Sequence, residues 1–196
     1  IIRSLGKPDS DLMPASGEYR PSRVIVDAGG TLQVLAPGVY AGAIQYAPDG
    51  TFLGFFGSSR IAITPALLLD AFWKQILNPT QRSRMIRYVP IEYVNFDIDE
   101  KGFVYTCSSA SENSRDEIRI LNAAGTNILA ATQADEGGRN FGDLESTWRN
   151  QRLEDTSFID VEAMDGGLFA ALDVTRGRIF IYDGEGGLLT IFGGIG

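Results

Sequence analysis

A two-glycine pattern recurs three times along the chain: a glycine at the turn of one apolar hairpin, and some twenty residues later a second glycine at the turn of another. The first copy holds Val24-Ile25-Val26, Asp27, Gly30 and Leu32-Gln33-Val34, then Ile44-Gln45-Tyr46, Asp49-Gly50 and Phe52 to Gly57. The second has Asp99, Gly102, Phe103-Val104-Tyr105, Ile118-Arg119-Ile120-Leu121 and Gly125. In the third, Gly166 precedes Leu168-Phe169-Ala170, and Arg178 to Tyr182 precedes Gly186 and Leu188 to Gly193. The glycines of the three pairs stand 20, 23 and 20 residues apart, room for about four short strands per unit. Repeated four-strand units are the mark of β-propeller blades. The expected fold is all-β, with three blades of four antiparallel strands, about half of a six-bladed propeller, and a helical insertion.

The expected layout follows from where the pattern breaks. Residues 1–20 read as the end of a preceding blade and a linker, since Ile1 to Gly6 resemble the close of an outer strand, so the chain is expected to begin in mid-architecture. Residues 21–57, 94–130 and 158–194 are the blades, 58–93 a helical insert, and 131–157 a polar, glycine-rich surface loop around Trp148. In the insert, Thr64-Pro65 supplies an N-cap and a first helical position, and Asn78-Pro79 a stop. Leu69, Phe72, Trp73 and Ile76 fall on one helical face between them. A second short helix over 80–87 carries Arg82, Arg84 and Arg87 in its last turns, where they complement the helix dipole. The aromatic face is expected to pack on the propeller rim.

Composition narrows the function classes. With 44% hydrophobic residues among 196, the chain has enough apolar material for a core. A net charge of −8 repels a phosphate backbone, which sets it against general nucleic-acid binding. The absence of histidine removes the commonest general base, metal ligand and serine-activating partner. Cys107 is the single cysteine, so no intrachain disulfide forms; it follows the alternating Phe103-Val104-Tyr105 run and is expected to be a half-buried thiol.

The third unit reads Asp173-Val174-Thr175-Arg176-Gly177-Arg178-Ile179-Phe180-Ile181-Tyr182-Asp183, then Gly186 and Phe192-Gly193. This resembles the NHL repeat, with its aspartate, short turn, Arg-Ile, alternating strand, turn glycine and closing Phe-Gly; Arg176 replaces the turn asparagine. Gly42 in the first unit and Glu117 in the second stand at the arginine position. The stretch with Trp73, Thr80-Gln81-Arg82, Val89 to Tyr93, Asp99 and Gly102 to Tyr105 is similar to uncharacterised NHL-repeat proteins of Gram-positive bacteria. Those resemble secreted or surface-tethered propellers. The resemblance implies an extracellular or cell-surface location, with any membrane tether outside this segment, and it implies no activity.

Candidate site residues follow from local chemistry. Arg82, Glu92, Tyr93 and Asn95 form the expected binding cluster, set against a reading in which they only anchor the insert. Asn95, Asp97 and Asp99 alternate along a strand and share a face, and Asp97, Asp99 and Asp160 are the candidate cation ligands; no cofactor is expected, calcium being the ion that these residues would suit. The competing reading makes Asp99 a turn residue. Asp173 and Arg178 should meet across a hairpin. The leading expectation is a non-catalytic module that binds a protein or glycan partner. The alternative is a metal-assisted lyase or lactonase. Because three blades cannot close a ring, either a homodimer or the remaining blades of a longer chain should complete it. If the insert packs as expected, Trp73→Ala costs about 3–5 kcal/mol of stability, read from the denaturation midpoint; an unchanged midpoint assigns Trp73 to a partner surface.

Overall fold

The computed structural model describes residues 4–13, 19–57, 92–108, 117–129, 141–142 and 156–194. They form three antiparallel sheets. The first runs β1 (Arg23–Val26), β2 (Leu32–Leu35), β3 (Ala43–Tyr46) and β4 (Phe52–Phe56) in sequential order. The second has β5 (Tyr93–Ile98), β6 (Val104–Ser108) and β7 (Ile118–Leu121), with an antiparallel bridge from Leu121 to Asn127 where a fourth strand would begin. The third is β8 (Phe158–Ala163), β9 (Phe169–Asp173), β10 (Arg178–Tyr182) and β11 (Leu188–Gly193). These sheets are the blades expected from the glycine pattern, two of four strands and one of three among the described residues. The insert with Phe72, Trp73 and Arg82, and nearly all of the loop 131–157, lie outside the described residues.

The glycines have a common physical reason. Five turns share one hydrogen-bond pattern, seen at Asp27: the Asp27 amide donates to the Thr31 carbonyl at 3.1 Å and the Gly30 amide to the Asp27 carbonyl at 2.9 Å. The same pair of bonds closes Ala47–Thr51, Asp99–Phe103, Asn122–Thr126 and Asp183–Gly187. Each is a three-residue hairpin loop whose last residue is left-handed, with φ of 81°, 86°, 83°, 73° and 77° at Gly30, Gly50, Gly102, Gly125 and Gly186. The β8–β9 connection departs from this, with a 3-10 turn at Asp165–Gly167 and two left-handed glycines. These turns thus lie at one end of each sheet, while in the third sheet the four-residue β9–β10 turn, 174–177, closes the other end. The longer connections, beginning with 36–42, leave and re-enter at the other end.

Blades pack face to face through their inner strands, with β5 along β8 and β1 along β5. Between the first and second blades, Leu35, Ala43 and Phe56 meet Tyr93, Phe96, Val104 and Leu121. The second seam is larger and aromatic. Tyr105, Cys107, Ile118 and Ile120 face Phe158, Val161, Phe169, Ala171, Phe180 and Tyr182, and Phe141 wedges in from the loop, its ring centroid 5.3 Å from that of Tyr182. Beside it the Gly142 amide donates to the Tyr182 hydroxyl at 2.9 Å. The N-terminal residues hold no strand among those described; Leu5 and Met13 instead cover part of the far face of blade one, against Val34, Ile44 and Tyr46. Val24 and Val26 on that face remain 60% and 53% exposed.

Gly125 couples a turn to a seam, because a Cβ there would lie 2.9 Å from the Gly57 amide nitrogen, whereas at Gly102 nothing stands within 4 Å. Gly102→Ala therefore suffers only the left-handed backbone penalty, about 1 kcal/mol, and Gly125→Ala about 3 kcal/mol. Urea denaturation of the two variants checks the order, and equal midpoints would remove the seam clash from the account.

Candidate functional site

The polar groups that the sequence singles out gather on the inner strands. Counting back four residues from the first residue of each inner turn, Asp27, Asp99 and Met164, gives Arg23, Asn95 and Asp160. These three occupy the same register position in successive blades. They form a relay: the Arg23 Nε donates to the Asn95 Oδ1 at 3.0 Å, and the Asn95 amide donates in turn to the Asp160 Oδ1. Asn95 and Asp160 also cap their own strands, accepting from the Phe96 and Val161 amides at 2.9 Å. Both follow a register shift, between Tyr93 and Asn95 and between Phe158 and Asp160. Such a bulge re-aims the side chain that follows it. Here it turns each toward the next blade.

Two residues further along, Asp97 and Glu162 repeat the spacing. The Asp97 Oδ2 accepts from the Ala163 amide at 2.8 Å, a second link between the blades. Glu162 is exposed, and the negative charge of Asp97, aided by partial burial and by Asp160, raises its pKa above the ordinary glutamate range. Asp97 and Asp160 are thus the two charges that act on Glu162. Asp99 does not join them. Its carboxylate accepts from the Lys101 and Phe103 amides at 2.9 Å and from the Tyr105 hydroxyl at 3.4 Å, so it serves the turn. Among the described residues no three histidine, cysteine, aspartate or glutamate side chains are placed to hold one metal ion.

The expected binding cluster is divided by the fold. Arg82 lies outside the described residues. Glu92 reaches across the seam, its Oε1 accepting from the Gly38 amide at 2.8 Å, and so pins the 36–42 loop of blade one. Tyr93 is buried and its hydroxyl donates to the Gly57 carbonyl, while desolvation raises its pKa above the ordinary tyrosine range. Asn95 is buried in the relay. All three described members thus sit at contacts between blades. What sequence reasoning missed was Arg23 and Tyr40. Arg23 would have emerged from aligning the blades on their turns; Tyr40, half exposed on the loop that Glu92 pins, carried no spacing signal.

Asp173 and Arg178 meet as expected, as directly paired residues on β9 and β10. The Arg178 Nη2 lies 2.9 Å from the Asp173 Oδ2, and Asp173, fully buried, also accepts from the Ser157 and Thr175 amides. Arg178 stacks over Phe180 with its guanidinium carbon 4.9 Å from the ring centroid. Cys107 is wholly buried, deeper than expected, and burial pushes its thiol up to about 12. A cleft of about 320 Å³ opens at the first seam between Gln45, Phe55 to Gly57 and the Ala123–Thr126 turn.

Above its raised pKa, Glu162 is charged and repelled by Asp97 and Asp160; below it, the proton removes the repulsion. Folding is therefore disfavoured as pH rises from the unfolded glutamate value through the folded one. Glu162→Gln should stabilise the chain at pH 7 by at most about 0.5 kcal/mol, with no gain in acid below the unfolded value. Thermal unfolding at both pH values checks this, and a loss of stability at pH 7 would contradict it. Against this geometry, the chain matches no family model and no curated protein.

Proposed function

We propose that this chain is a non-catalytic β-propeller module, NHL-like in its repeat, that binds a protein or glycan partner at a bacterial cell surface. The observation that carries the reading is the presentation of Tyr40. Its side chain is 51% exposed, while the residues on either side, Val39 and Ala41, are 5% and 3% exposed. Glu92 holds the same loop from the neighbouring blade. An aromatic ring on a loop fixed from two blades is a preordered contact for a sugar face or a protein side chain, because little entropy remains to be lost on binding. It lies at the end of the sheets that collects the long connections, where propeller ligands have the most surface variety to read. The NHL resemblance of the third unit, and that of the insert to surface-tethered Gram-positive proteins, support the location. No helix among the described residues is long and apolar enough to cross a membrane.

One observation favours the second reading, a metal-assisted lyase or lactonase: Asp97, Asp160 and Glu162 lie close enough for charge to raise the Glu162 pKa. Groups with perturbed pKa values at an inner channel are where such chemistry is sought. Against it stands the use of Asp97 and Asp160 as acceptors for blade-to-blade bonds.

The test is binding of the purified chain to immobilised polysaccharide and protein fractions of a Gram-positive envelope, together with lactone hydrolysis with and without calcium. The expected result is saturable binding to one fraction, insensitive to chelator, weakened about tenfold by Tyr40→Ala with no change in melting temperature. Binding to neither fraction overturns the proposal. Turnover abolished by Glu162→Gln installs the enzyme in its place.

A further inference from the structure

We infer that the cleft between the first two blades is a binding site for a neutral sugar, one pyranose unit either free or carried on a glycan. It is separate from the Tyr40 surface and stands whether or not that surface binds a partner. Its origin lies in small residues on both sides of the seam. Gln45 of β3 shares a sheet face with Ala43, which packs in the seam, and its direct partner on β4 is Gly54. A Cβ at Gly54 would meet nothing within 4 Å, so the space beside the Gln45 side chain stays open. Across the cleft the second blade offers Ala123, Ala124 and Gly125, part of a turn with no bulky side chain. Gly57 and Phe56 stand close to that turn, since a Cβ at Gly125 would lie 2.9 Å from the Gly57 nitrogen and 3.6 Å from the Phe56 ring. The opening of about 320 Å³ that results is at the small end of the range for small-molecule sites.

The lining decides the class of ligand. Among the described residues no acidic or basic side chain borders the cleft, so an ion would enter without a counter-charge. The Gln45 carboxamide and the Thr126 hydroxyl border it instead, groups that donate and accept alike, as a sugar hydroxyl does. The turn is preordered. The Asn122 Oδ1 accepts from the Ala124 and Thr126 amides at 3.0 Å and the Asn122 carbonyl from the Gly125 amide at 2.8 Å, which leaves the turn's carbonyls to meet a ligand hydroxyl. Phe56 adds an apolar wall for the C–H face of a pyranose ring. Behind Gln45 stands a second carboxamide. Gln33 is its direct partner on β2, only 3% exposed, and the Gln33 Oε1 has no hydrogen-bond partner among the described residues. Directly paired side chains lie within reach of each other. A sugar hydroxyl that donates to the Gln45 Oε1 turns the Gln45 amide group toward the Gln33 Oε1, so that binding satisfies a buried acceptor.

The test is titration of the 196-residue chain with D-glucose, D-galactose and N-acetylglucosamine, followed through its backbone and glutamine side-chain amide resonances by NMR. At least one sugar should bind saturably, with a Kd of about 1 mM, and shift the Ala123–Thr126 amides together with the side-chain amides of Gln45 and Gln33. Gln45→Leu removes the hydrogen-bonding group, and Ala124→Trp fills the mouth of the cleft from an exposed turn position. Each should weaken binding about tenfold or more. The second variant carries the test if the first fails to fold. No shift with any of the three sugars at about 50 mM, or an affinity unchanged in Ala124→Trp, overturns the inference. Shifts confined to the 36–42 loop overturn it as well, while leaving the Tyr40 proposal in place; failure of envelope binding at Tyr40 would leave the shifts at Ala123–Thr126 untouched.

Discussion

Burial between neighbouring sheets is the interaction on which the rest depends. A single sheet cannot bury its faces alone: each does so against the next sheet or, on the far face of blade one, against Leu5 and Met13. The residues that vanish from solvent, Phe158, Phe169 and Phe180 above all, do so because Tyr105, Cys107 and Ile118 stand opposite. The turns, the relay and the loop that carries Tyr40 are arranged around two such seams. Even the polar contacts obey this rule. Glu92, Tyr93, Asn95 and Asp97 each bond to a group in another blade or at its edge, which lets buried or half-buried polar atoms be satisfied without water.

This dual use of polar groups shapes the functional argument. A carboxylate that accepts a backbone amide across a seam is held at a fixed distance from its neighbours and gives up part of its capacity for a ligand. Asp97 is in that position, Asp160 is held across the same seam by the Asn95 side-chain amide instead, and Glu162, exposed beside them, is the group left to carry their repulsion. Tyr40 is the converse case, with its backbone fixed and its ring open to solvent.

Much of the blade structure was legible in the sequence because the turn imposes a local requirement. A three-residue hairpin loop needs a left-handed residue at its third position, so Gly30, Gly50, Gly102, Gly125 and Gly186 announce themselves without reference to the rest of the chain. Asp173 and Arg178 were legible for the same reason, being five residues apart across one hairpin. The relay was not. Arg23 and Asn95 are separated by 72 residues and Asn95 and Asp160 by 65, and their meeting depends on how sheets stack. Nor did the sequence reveal that Glu92 and Tyr93 are spent between blades. Their polarity marked them as candidates, but only the packing decides whether a polar group faces a ligand or a neighbouring strand.

The outermost strand of the third blade has a further consequence. All six residues of β11, Leu188-Leu189-Thr190-Ile191-Phe192-Gly193, are exposed along an edge that no other described strand pairs with. The segment is uncharged, lacks proline and is rich in β-forming side chains, so no lysine or kink blunts it against addition of a foreign strand. Concentrated solutions of the chain would then be limited by intermolecular strand pairing at β11, a colloidal hazard distinct from any loss of the native fold.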